Sequence, residues 1–159
     1  MNFKPTGIAI HSAATLSSMD INAAWIEHEH RKRGFFRIGY HYFIKRDGTV
    51  EKGRPDTDQG AHVMHHNHYL LGICMAGGLG KNGKAENNFT LQQWGALAQL
   101  VATLLRDNTD LEFVIGHRDI PGTATECPSF DVMPWVESHT LLINLIERNI
   151  QENGNDIQD

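Results

Sequence analysis

Only two cysteines, Cys74 and Cys127, occur in these 159 residues, too few for the disulfide framework that staples small secreted domains. In a reducing compartment such a pair more often divides into one structural and one functional thiol. Basic charge is also scarce. Fourteen Lys and Arg against nineteen Asp and Glu leave a net charge of -5, with no excess to neutralise phosphates, so no nucleic-acid partner is expected. Long apolar runs are missing as well. The opening MNFKPTGIAIHS carries one lysine and an apolar run too short for a secretory h-region or a membrane span. The expectation is a chain made in a cytoplasm and staying there at first, with no membrane insertion. No internal repeat, low-complexity tract or linker breaks the sequence, so one domain over 1–150 is expected, with 151–159 as a frayed tail. The residue in excess is histidine, at ten.

Residues 7–11, GIAIH, read as a buried strand whose last side chain emerges at a sheet edge. Ile21, Ala24 and Trp25 recur at helical spacing from about Asp20 to Arg33, with Gly34 as the stop. Residues 38–53 give two β-rich runs joined at Asp47-Gly48, a strong hairpin signal. Alternation there puts Ile38, Tyr40, Tyr42 and Ile44 on one face, and His41 and Phe43 on the other. Leu70 to Ala76 is a strand buried on both faces, and Cys74 within it reads as a small buried hydrophobe. Thr90 and Gln93 form a capping-box pattern ahead of a wide apolar stripe, the clearest helix in the chain. Glu112 to Gly116 is another buried strand ending before a histidine, and Pro134 to Ile150 holds a final helical pattern. Together these predict a single α/β domain, a central mixed β-sheet with helices packed on its faces.

Chemistry collects at strand ends in such folds. His11 and His117 occupy two of them, and Cys127 follows on a Pro/Gly/Thr loop that can fold back toward His117. Two imidazoles and a thiolate are a ligand set that suits Zn²⁺, and three protein ligands leave a fourth tetrahedral position for water. On spacing alone the alternative for each histidine is a hydrogen-bonded residue at a strand end.

In order, the chain presents a strand-end histidine followed by SAAT, then RGFFRIGYHYFIKRDGTVEKGRP, GAHVMHHNHYLLGICMAGG, NFTLQQW, GHRD and CPSFD. This succession resembles the zinc-dependent N-acetylmuramoyl-L-alanine amidases of the type-2 amidase and peptidoglycan-recognition family, over about Gly7 to Trp135, with the phage members most alike. The resemblance implies a zinc site at the strand ends, with His11, His117 and Cys127 as ligands and Tyr40 as the catalytic tyrosine. It places Thr125, two residues before the cysteine, where phage enzymes often carry lysine and catalytic recognition proteins tend to carry threonine. The loop before Cys127 looks about two residues longer than in the phage enzymes, which keeps Thr123 open as the inward-pointing residue. His62, Asn67 and His68 fall near the substrate groove. The implied function is a monomeric phage endolysin that cleaves the amide between N-acetylmuramic acid and L-alanine of bacterial peptidoglycan through a zinc-activated water. It would reach the cell wall once the membrane is permeabilised. The resemblance also implies a phage RNA polymerase as partner, although no surface for it is identified in the sequence.

Other readings compete. A cytosolic muropeptide-recycling amidase differs only in substrate, and a non-catalytic peptidoglycan-binding module typically lacks the zinc cysteine. The remaining histidines divide by pattern. His65 and His66 are expected in solvent, His30 and His41 as structural hydrogen-bonders, and a second metal among His62, His65, His66 and His68 lacks fixed geometry.

Overall fold

The computed structural model describes residues 2–155. Its centre is a five-stranded sheet built from β1 (Gly7–Ser12), β3 (Tyr42–Ile44), β4 (Val50–Lys52), β5 (Leu70–Met75) and β7 (Phe113–Gly116), in the order β4-β3-β5-β1-β7. A small second sheet pairs β2 (Thr15–Leu16) with β6 (Gly78–Leu79). β1 lies parallel to both β5 and β7, and only the β3–β4 hairpin is antiparallel, so the sheet is mixed as expected. In the hairpin turn, Gly48 takes the positive φ of 86° that its position demands.

Alternation along the central strands sorts two faces. Ile8, Ile10, Ile44, Leu71, Ile73 and Met75 point one way, into the main core. Helices α2 (Leu91–Asp107), α3 (Val132–Glu137) and α4 (Thr140–Asn155) cover this face. Thr90 and Gln93 make both halves of the capping box that starts α2. Gln93, fully buried, also donates to Ile44 O and Ala76 O, which ties the helix start to the sheet. The opposite face carries Ala9, Leu70, Phe43 and Cys74, and it is covered by α1 (Ala23–Lys32) and by loops. Small residues at Ala9, Gly72 and Cys74 leave room there for the side chains of the site.

Several boundaries differ from the sequence reading. α1 starts at Ala23, because the Asn22 side chain caps it by accepting from Trp25 N. The strand expected from Ile38 begins only at Tyr42. His41 breaks the pattern: its imidazole Nδ1 accepts the Gly72 N–H, taking a place that a backbone carbonyl would hold in the ladder. As a result Tyr40 joins Phe43 and Ile38 on the α1 side rather than sharing a face with Tyr42 and Ile44. The last helical pattern is two helices, α3 and α4, separated at Ser138 and His139, where His139 Nδ1 meets Trp135 O at 2.8 Å. α4 continues to Asn155, five residues into the expected tail, since Asn153 Nδ2 donates to Thr109 O and to the Glu112 carboxylate. Residues 156–159 of that tail lie outside the described residues. Among the described residues no helix is long and apolar enough to cross a membrane.

Candidate functional site

Strand register brings the first two candidate ligands together. Ile10 pairs with Gly116, so the next residues, His11 and His117, emerge side by side at the same strand ends, with ring centroids 4.7 Å apart. From Gly116 the chain enters a short 3₁₀ turn, His117–Asp119, and then a loop that returns Cys127 to β1. The return is fixed by backbone bonds: Arg118 N donates to Cys127 O, and Ser12 N donates to Cys127 Sγ at 3.2 Å. Sγ lies 3.7 Å from His11 Nδ1. One ligand atom from each of His11, His117 and Cys127 falls within 4.8 Å of the others, and among the described residues this is the group that could hold a metal ion.

Burial keeps these groups uncharged in the absence of an ion. Desolvation lowers the His11 imidazole well below its usual value, with the neighbouring His62 and His117 adding to the effect, and it lowers His117 as well. It raises the Cys127 thiol, partly offset by the hydrogen bond from the Ser12 backbone N–H. Two neutral imidazole nitrogens and a sulfur with a backbone N–H already aimed at it are a donor set fitted to a borderline-soft dication. The Ser12 hydroxyl is buried without a hydrogen-bond partner.

Tyr40 packs its ring 5.0 Å from the His11 ring and 5.3 Å from that of His30. Desolvation, with the nearby Cys74 and Cys127 sulfurs, raises its phenol well above the ordinary 10.0, so it remains a protonated donor. Thr125 accepts Cys127 N on its hydroxyl oxygen at 3.1 Å, which leaves the hydroxyl proton free to be donated. Thr123 spends its proton within the loop, donating to His117 O and Ile120 O, so it is bound into the turn.

The second histidine group divides between the cleft and the surface. His62 reaches the candidate ligands directly, its Nδ1 2.9 Å from His11 Nε2. Burial and the neighbouring His41 push its pKa down to about 3. Asn67 accepts the backbone N–H groups of His62 and Val63 on its side-chain oxygen, and so holds the loop that carries His62. A cleft of about 370 Å³ opens beside Tyr40 and His117, with His62, Asn67, Arg33, Phe35 and Met64 also in its walls. His68 is not brought to it; that side chain lines a separate groove with Phe3 and Arg37. His66, expected in solvent, instead bridges Tyr69 OH and Pro121 O and links the two loops that flank the cleft. His30 and His41 are structural acceptors, as expected, binding Gly39 N and Gly72 N. Phe35 and Met64 escaped the sequence reading because loop residues carry no periodicity to mark them, and Arg33 falls at the end of the first helix, where the apolar pattern marks no role for it.

A sequence profile for N-acetylmuramoyl-L-alanine amidase matches residues 1–130. The endolysin of Enterobacteria phage T3 is 37% identical over 146 residues, covering 89% of this chain and 95% of that one. The endolysin of Escherichia phage T7 is 37% identical over 135 residues, 85% and 87% of the two chains. Among solved structures, the N-acetylmuramoyl-L-alanine amidase LysC from Clostridium intestinale superposes with a TM-score of 0.73 at 28% identity, covering 86% of this chain and 85% of its own.

Proposed function

The chain belongs to the N-acetylmuramoyl-L-alanine amidase family, and from that premise we propose that it is a zinc-dependent phage endolysin acting on the peptidoglycan amide between N-acetylmuramic acid and L-alanine. The observation that carries the zinc reading is the convergence of His11, His117 and Cys127 on one point, at the end of a cleft that also holds Tyr40. A zinc ion held by His11, His117 and Cys127 would supply Lewis acidity, bringing the pKa of water toward neutrality and drawing charge from the scissile carbonyl.

The residues around it do the rest. Tyr40, kept protonated by burial, donates a hydrogen bond to the oxygen that gains charge as the carbonyl becomes tetrahedral. Thr125 adds a second, neutral donor from the cysteine loop. Cleavage breaks the C–N bond, leaves the lactyl carboxylate on the sugar and frees the amino group of L-alanine. A lysine at position 125 would stabilise the developing anion by charge, so threonine predicts a slower chemical step. Cytoplasmic accumulation followed by access to the wall after membrane permeabilisation belongs to the same reading and is supported by the likeness to the phage endolysins.

The test is metal analysis joined to a wall-lysis assay. We expect about one zinc per chain, clearing of intact sacculi, and release of L-alanine amino groups without new reducing sugar. Cys127→Ser and His11→Ala should lose zinc and activity together. Activity confined to soluble muropeptides would replace the endolysin reading with a recycling amidase, and a metal-free active protein would overturn the mechanism.

A further inference from the structure

His62 belongs to neither the strand ends nor the cysteine loop, yet it is the side chain that touches the far nitrogen of His11. Its ring is seated by two glycines. A Cβ at Gly72, on β5, would come within 2.8 Å of the His62 ring, and one at Gly60 within 2.5 Å. No side chain larger than hydrogen fits at either position while the ring stays where it is. Asn67 fixes the backbone of the same residue by accepting its N–H.

The hydrogen bonds then settle the proton positions. His62 Nε2 lies 3.2 Å from Leu70 O, and a carbonyl oxygen can only accept, so the proton of the neutral His62 ring is on Nε2. Its Nδ1 is therefore a bare lone pair. The partner at 2.9 Å, His11 Nε2, must be the donor, which leaves the lone pair of His11 on Nδ1. That atom faces Cys127 Sγ. The chain Leu70 O, His62, His11 thus runs in one direction and ends on the nitrogen that a metal would bind.

We propose that His62 is a positioning residue for the metal site, holding His11 in the tautomer and ring orientation that present Nδ1 to the ion, rather than principally a contact for substrate. The inference rests on the zinc reading above. Outer hydrogen bonds of this kind to a ligating histidine are typically worth about 10–100-fold in metal affinity. His62 differs from the usual partner, a carboxylate or carbonyl, in being a second imidazole that is itself anchored to the sheet through Leu70.

Zinc affinity measured by chelator competition, beside kcat and KM on zinc-saturated enzyme, separates the roles. His62→Ala should weaken zinc binding about 10-fold or more. It should also alter the visible spectrum of the Co²⁺-substituted protein. His62→Gln, whose side-chain oxygen can still accept from His11, should recover most of the affinity. In the wild-type zinc protein, nitrogen NMR should show a slowly exchanging His11 Nε2–H with a scalar coupling to His62 Nδ1, a readout that needs no variant to fold. An affinity for His62→Ala within twofold of wild type with only KM raised would overturn the proposal, as would a His11 Nε2 without a proton. Failure of the wild type itself to bind zinc would instead strike the functional reading.

Discussion

Tyr40 and His30 share a wall between the cleft and a smaller hollow against α1, and burial acts on them in opposite directions. The phenol is raised and stays a donor, so Tyr40→Phe should retain zinc and lower turnover about 10²–10³-fold, the cost of removing one donor to a developing oxyanion. Retained activity, or loss of zinc, would remove Tyr40 from that role. His30 is held neutral, its pKa lowered to about 4 by desolvation, with Arg33 and Arg54 adding to it. An unfolded imidazole takes its proton near 6.5, so between pH 6.5 and 4 the unfolded state binds more protons and stability falls as pH falls. Urea unfolding of the metal-free protein at pH 7.5 and pH 5 should show that loss, and His30→Gln, which keeps an acceptor for Gly39 N, should show less of it.

At the scale of elements, two buried amides anchor helices, one to the sheet and one to the neighbouring helix and the loop that follows it. Gln93 secures the start of α2, and Asn149, fully buried on α4, donates to Leu105 O and Leu111 O at 3.0 and 2.7 Å. Both helices lie on the face away from the cleft. Asn149→Ala would leave those carbonyls unpaired and should cost about 1–3 kcal/mol, seen as a lower urea midpoint at unchanged slope. Zinc content and activity at 25 °C should be kept, because α4 contributes nothing to the site. The bond between Asn149 and the loop after α2 also explains why α4 outruns its apolar pattern: polar side chains on its last turns, Asn149 and Asn153, have backbone carbonyls to reach.

For the whole molecule, the proposed zinc joins β1, the end of β7 and the cysteine loop, segments far apart in sequence. An ion bound only by the folded state stabilises it by about 2.7 kcal/mol at 100 times its dissociation constant. For a chain of this size that raises the melting temperature by roughly 5–10 °C. Thermal melts with excess zinc and with chelator should differ by about that amount in the wild type and coincide in Cys127→Ser.

Periodicity and local chemistry were enough to determine the α/β class, the buried strands, the capped α2 and the candidate ligands, because a buried strand ending in histidine and a Cys-Pro loop are local signals. The ordered motifs carried the family resemblance for the same reason. What they left open was decided by packing. Register alone sets His11 beside His117, since Ile10 pairs with Gly116 across a hundred residues. The turn of Tyr40 to the α1 side depends on a side chain, His41, standing in for a backbone acceptor, which no alternation rule anticipates. His62 and His68 look alike in the sequence, six residues apart on one polar loop. Only the glycine-lined seat on β5 takes one ring to the candidate metal ligands and leaves the other in a separate groove.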